Sequence, residues 1–316
     1  KNRIFVSNTE LYKSKSLLMK LLSHNHLRVV LATFVALAMV SCQRLASEDP
    51  ELPSGEKSMV RFKVSQFEAL PFSTAQSRSQ SVSELCKQID LAVFQGGVRT
   101  VKTTQKAGDK DFGTLSVALA PGAYKAVIVA HNQDKTPTMT NAEKITFSGD
   151  LSDTFSWSDD ITVGEGNGLD VDVSMHRVVA MVRFVTTDKV PDNISTLQFY
   201  YTGGSSTLDG LTGNGCVNSR QTVKIAITDD MKGKTAKFEI YTFPKSDSKE
   251  LKIEVTGLGP TGEAVYSHTF ENVPVSRNQI TQFTGALFSD NPVTGDTSSK
   301  FMLTTDDEWL TVDKSF

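Results

Sequence analysis

From residue 59 to residue 288 the chain alternates short apolar stretches with clusters of Gly, Asn, Asp, Ser and Pro. Two kinds of stretch occur. In Thr222–Thr228, Val223, Ile225 and Ile227 point one way and Lys224 the other; in Leu251–Thr256, Leu251, Ile253 and Val255 alternate with Lys252 and Glu254. A period of two marks a strand with one buried and one wet face. Ala126–Ala130 and Val178–Val182 are instead continuously apolar, which predicts strands covered on both faces. Further strands are expected at Met59–Val64, Ile89–Phe94, Thr114–Leu119, Ala123–His131, Leu169–Met175, Arg177–Thr186, Thr196–Tyr201, Ala236–Phe243, Ala264–Phe270 and Gln279–Phe288. Many short strands separated by turn signals predict an all-β sandwich or barrel. The helix signal is confined to Ser81-x-x-Glu84, a capping box able to open a turn or two ahead of Ile89.

A length of 316 residues suits two domains. The Gly-rich stretch Gly164–Gly168 and the strand after it put the break near Met175. The first domain is then expected over 53–175 and the second over 176–288. Residues 289–316 read as a Gly/Ser/Thr-rich linker and a last strand segment, Phe301–Phe316, with Trp309 as its large anchor. The net charge of −3 lacks the basic excess of a nucleic-acid-binding surface.

The N-terminal region follows a different pattern. Residues 19–42 carry a basic start, an apolar run from Val29 to Val40, and Ser41-Cys42. That is the layout of a secretory signal peptide, and the run falls short of the roughly 20 residues a bilayer span needs. Met19 sits where such a peptide begins, so residues 1–18 are read as an upstream extension, and 1–41 as extension plus signal. Met39-Val40-Ser41-Cys42 resembles a lipobox, the processing site of bacterial lipoproteins. Cleavage before Cys42 would leave its thiol and new amino group to carry acyl chains, and several chains anchor far more firmly than one. Residues 42–52 form a polar tether; its Ser47-Glu48-Asp49 is either a surface-export signal or solvated linker.

Nothing in the chain points to catalysis. His131, His176 and His268 fall on or beside separate strands, without metal or triad spacing. Gly164–Gly168 does not lead a strand into a helix, so it is not a phosphate loop. The acidic pairs Asp159-Asp160, Asp229-Asp230 and Asp306-Asp307 lack EF-hand spacing and read as solvated turns. Cys86 and Cys216 are expected to be two independent thiols, each buried or half-buried. No enzyme activity, cofactor or metal is expected.

Three stretches carry a family resemblance. The first is Ile89–Gly97 followed by Phe112–His131 with its Leu-Ala-Pro-Gly-Ala-Tyr turn. The second is Met175–Phe184, and the third is Val275-Ser-Arg-Asn-Gln-Ile-Thr-Gln-Phe-Thr-Gly285. Together these resemble the fimbrillin and fimbrial-anchor lipoproteins of Bacteroides-type bacteria, the subunits of type V pili. The resemblance implies two tandem transthyretin-like, Greek-key β-sandwich domains after a lipoprotein signal peptide. It implies a surface-exposed location on the outer membrane, and other fimbrial subunits as partners through β-strand exchange. In that scheme a protease cuts after an Arg, the first strand leaves and a neighbour's strand fills the groove. The first strand would be Met59–Phe67. Arg78, in the polar loop Ser77–Gln80, is then either the cleavage site or an ordinary exposed loop residue. The Phe301–Phe316 tail is either a donor strand or the closing strand of its own sheet. A surface glycan-binding lipoprotein is the alternative, though it would want solvent-facing aromatics and the chain has two Trp.

Overall fold

A computed structural model of the chain describes residues 56–67 and 81–288, and the backbone of residues 302–306. Cys42, Arg78 and Trp309 lie outside the described residues. The described residues fall within one contiguous unit that begins at Gly55.

The fold is all-β, as the alternation predicts. Its first half contains β1 (Ser58–Phe67), α1 (Val82–Leu85), β2 (Gln88–Gln95), β3 (Val98–Lys106), β4 (Thr114–Leu119), β5 (Gly122–His131), β6 (Thr138–Asn141), β7 (Lys144–Thr146), β8 (Thr154–Val163) and β9 (Leu169–Arg177). Its second half contains β10 (Ala180–Thr186), β11 (Thr196–Thr202), β12 (Thr207–Leu208), β13 (Gln221–Ala226), β14 (Lys237–Thr242), β15 (Glu250–Leu258), β16 (Ala264–Pro274), β17 (Ile280–Gly285) and β18 (Met302–Asp306). The expected strands are present, except that Arg177–Thr186 divides between the end of β9 and β10, and the capping box opens the single turn of α1, with the Glu84 carboxylate accepting from the Ser81 N–H at 2.8 Å. The strands β3, β6, β7, β8 and β12 had no expectation behind them. In β3, Val98–Lys106, every residue is exposed or half-buried, so no apolar period marks it.

The two halves repeat one topology. In the first, a layer β3-β2-β5-β8 faces a layer β4-β1-β9; the layers join only where Phe155 pairs with Arg177 and Ser156 with His176. In the second, β13-β11-β15-β16 faces β14-β10-β17-β18. The opening strand of each half lies between an antiparallel neighbour and a parallel one: β1 between β4 and β9, β10 between β14 and β17. Each sandwich encloses its own core. Val60, Phe62, Ile89, Leu91, Leu115 and Ile128 lie in the first; Val182, Phe184, Phe199, Phe238, Phe270 and Phe283 lie in the second.

A third core explains the two continuous apolar runs. Ala126 and Ile128 face the first core, whereas Val127 and Val129 face Val179, Met181 and Ile280 of the second half. Val179 and Met181 lie in this shared core while Ala180 and Val182 face inward. Phe147 meets Phe243 across it with ring centroids 5.1 Å apart. A small sheet also crosses between halves: β12 pairs with β7 through Thr207–Thr146 and Leu208–Ile145. Arg177 completes the join. It forks onto Asp153 at 2.7 and 2.8 Å, donates to Asn278 Oδ1 at 3.0 Å, and its guanidinium lies 4.8 Å from the Phe155 ring centroid. Asn278 holds a left-handed φ of 58° and donates its backbone N–H to Val179 O at 2.9 Å.

Candidate functional site: the seat of the first strand

The alternation of β1 sets its role. Val60, Phe62 and Val64 point into the core and are 0, 0 and 5% exposed, while Met59, Arg61 and Lys63 face out. The antiparallel register to β4 sets Val60 opposite Val117 and Phe62 opposite Leu115. The parallel register to β9 sets Val60 opposite Leu169, Phe62 opposite Val171 and Val64 opposite Val173. Phe62 packs edge-on against Trp157 at 6.1 Å, and Phe67 against Phe155 at 4.9 Å. The ends of the strand are tied by Ser58 Oγ to Gly164 O at 3.0 Å and Ser65 Oγ to Val173 O at 3.3 Å. Three fully buried side chains at about 1.5–3 kcal/mol each give the seat on the order of 5–9 kcal/mol. That is comparable to the whole stability of a typical domain, about 5–15 kcal/mol.

The outer face of this layer is charged. Arg61 lies opposite Asp170 with Nη1 3.7 Å from Oδ1, and Lys63 lies opposite Asp172. These side chains are exposed, so each pair contributes at most about 1 kcal/mol.

Behind β2 lies a buried polar cluster. Asp90, fully buried, accepts from Thr104 Oγ1 at 2.5 Å and Gln88 Nε2 at 2.8 Å, and faces His131 Nε2 at 3.2 Å and Lys102 Nζ at 3.5 Å. Gln133 donates its N–H to His131 Nδ1 at 3.1 Å, which leaves Nε2 as the nitrogen that donates to Asp90. Burial by itself would raise the Asp90 pKa; hydrogen bonds from His131, Thr104 and Gln88, and the Lys102 charge, outweigh it and hold the carboxyl below its usual range. Both carboxylate oxygens of Asp90 are occupied by neighbours from β2, β3 and β5, so its role is to fix those strands in register.

The thiols are separate: both are free, with Cys86 buried and Cys216 exposed, where both had been expected to be at least half-buried. Burial, with Asp153 nearby, pushes the Cys86 thiol up to about 12, which makes it unreactive. His176 is exposed on β9 and His268 buried on β16; neither joins His131. Asp160 pairs with Lys125 at 2.7 Å and Asp229 with Lys232 at 2.8 Å. The tail closes its own sheet, since Met302–Asp306 pairs antiparallel with Ile280–Thr284. Sequence reading missed Asp90, Asp153, Asp170 and Asn278. Asp90 and His131 are 41 positions apart, and only adjacency of β2 and β5 unites them.

Among solved structures, the fold is similar to one from Bacteroides thetaiotaomicron described as a candidate polysaccharide-binding protein (DUF1812). The two share 10% identity, over 81% of this chain and 99% of that one, with a TM-score of 0.51. The fimbrial anchor protein Mfa2 of Porphyromonas gingivalis is 11% identical, over 81% and 99%, with a TM-score of 0.45. A fimbrial assembly protein of Parabacteroides distasonis is 10% identical, over 79% and 94%, with a TM-score of 0.41. No curated protein matches the chain. Residues 91–310, which span most of both sandwiches, match the model of a family of unknown function, DUF6562, and the chain belongs to that family.

Proposed function

We propose that this protein is a fimbrial subunit, anchor or accessory adhesion protein, held on the outer membrane by acyl chains at Cys42 and joined to its partners by β-strand exchange. It is a non-enzymatic, two-domain protein, the domains being 53–175 and 176–288. The observation that carries the reading is the seat of β1. One strand, tied in by three apolar side chains and by polar contacts at its ends, fills a groove between β4 and β9. A neighbour's strand with the same alternation would fit there by β-augmentation. The lipobox at Cys42 and the fimbrillin-like stretches support the same reading, and Arg78 lies in the chain segment after β1 where a cut would free it. Glycan binding has less behind it. A flat sugar platform needs exposed aromatic rings, and the exposed large apolar residues among the described ones are Met59, Val98 and Leu211.

Limited trypsin treatment followed by native electrophoresis tests the exchange. Ladders that form after cleavage, and fail to form in Arg78→Ala, are expected of a subunit whose first strand leaves. A monomer in every lane removes strand exchange and leaves an anchor or tip role. Cys42→Ala is expected to leave the membrane fraction; retention there would refute the lipid anchor.

A further inference from the structure

The internal repeat supplies a control for the seat of β1. Phe62 and Phe184 hold the same place in the two halves, opposite Val171 of β9 and Phe283 of β17. The residues beside them can therefore be compared position by position. In the second half, the parallel neighbour sets Gln282 opposite Arg183 and Thr284 opposite Val185, and Ile280–Gly285 carries no charge. Arg183 turns instead to the antiparallel neighbour, where its Nε donates to Glu239 at 2.9 Å. In the first half the charges stand on the other side. The antiparallel neighbour sets Ser116 and Thr114 opposite Arg61 and Lys63, whereas the parallel neighbour sets Asp170 and Asp172 there. The Arg61 guanidinium lies 3.7 Å from Asp170. Val60, Phe62 and Val64 already hold the strand by burial, and exposed ion pairs add little to that. What such pairs set is which partner is accepted, because a like charge in the same place repels.

We propose that the seat of β1 selects its occupant by charge. The occupant is a strand of a different subunit, parallel to β9, with three apolar anchors at alternate positions and Lys or Arg at the two positions between them. This names the partner for the strand-exchange reading and rests on it. The tail of a second copy has the wrong charge. Residues 301–316 hold one base, Lys314, against Asp306, Asp307, Glu308 and Asp313. With Phe301, Leu303 and Thr305 as anchors, the residues between are Met302 and Thr304. With Leu310 and Val312 as the first two anchors, Thr311 faces Asp170 and Asp313 faces Asp172. Lys314 reaches an outward place only where Asp313 and Ser315 become anchors. A homopolymer joined through this tail is thus the weaker assembly, and a basic strand from another subunit the stronger one.

The test uses full-length protein cut with trypsin, the protease then being inhibited. Three synthetic peptides compete for the seat: the sequence of Ser58–Phe67, the same sequence with Arg61→Glu and Lys63→Glu, and residues 301–316. Titration by native mass spectrometry should show the first binding about tenfold tighter than the other two, since two exposed cross-strand pairs change from attraction to repulsion or neutrality. The preference should shrink at about 1 M salt, where screening acts within about 3 Å. In the Asp170→Lys, Asp172→Lys double variant the preference should invert, and ladders of the protein alone should lengthen as the acidic tail becomes acceptable. A misfolded variant would lose all three peptides rather than invert their order. Equal binding of the three, or an order unchanged in the double variant, overturns charge selection and leaves strand exchange standing. A seat that admits none of them in the wild type overturns both.

Discussion

The opening strands of the two halves occupy the same place in the same topology and are held in different ways. β1 buries one face; its other face carries Met59, Arg61 and Lys63 in water. β10 is buried on one face, with Ala180, Val182 and Phe184 in its own sandwich, and covered on the other, where Met181 lies in the core shared between halves and Arg183 and Val185 are half-buried. Phe184 touches Phe199, Phe270 and Phe283 at 5.1–5.4 Å between ring centroids, whereas among the described residues Phe62 has one aromatic neighbour, Trp157. β10 is thus pinned by residues from both halves, and β1 by residues of one. A strand embedded in two cores cannot be withdrawn without opening both; a strand with one wet face can. Of the two opening strands, β1 is therefore the one held by fewer contacts.

The largest test of this contrast is aromatic truncation. Phe184→Ala is expected to cost about 4–5 kcal/mol and Phe62→Ala about 3 kcal/mol, because the Phe184 cavity has more partners to lose. Denaturant unfolding of both variants checks it; equal losses would remove the distinction. Next comes the join. Arg177→Ala leaves Asp153 without its forked partner and frees Asn278, so about 3 kcal/mol is expected. By calorimetry the wild type is expected to unfold in one transition, because the shared core couples the halves, and Arg177→Ala in two. Third is the buried carboxylate. Asp90→Asn keeps shape but loses charge-assisted hydrogen bonds, at about 2 kcal/mol near neutral pH. The Asp90 pKa is lower folded than unfolded. Its contribution is therefore present above the unfolded value of about 3.9 and lost as pH falls through the folded one. The gap between wild type and Asp90→Asn should close below pH about 4, and a gap constant with pH would contradict the network. The smallest effect belongs to Arg61→Ala, about 0.5 kcal/mol or less, since Arg61 and Asp170 are 60% and 79% exposed. Amide exchange is expected to be faster in β1 than in β10 throughout this series.

How much could be read in advance differs between regions for a physical reason. β1, β2, β4, β5, β9 to β11 and β13 to β17 were legible because alternation is a local property of a half-buried strand. β3 and β8 were not. β3 is an edge with no fully buried residue, and β8 changes from three buried positions at Thr154–Ser156 to a stretch in which only Ile161 and Val163 are buried. The Arg177–Thr186 stretch was read as one strand; it is two, because the chain changes sheets at Val178-Val179 and both residues are buried in the join. At the candidate site, the alternation of β1 was legible and its neighbours were not. Cys42 and Arg78 were singled out by motif and loop composition, and both lie outside the described residues.

Local spacing and composition were enough to say that the chain is built of strands, that Ala126–Ala130 and Val178–Val182 are covered twice, and that Ser81 opens a short helical turn. Those features depend on residues a few positions apart. What covers the apolar runs, which carboxylate meets His131 and where the tail pairs were settled only in three dimensions. Each depends on sheet register between residues tens of positions apart, and register is set by the joint packing of three cores rather than by any one segment.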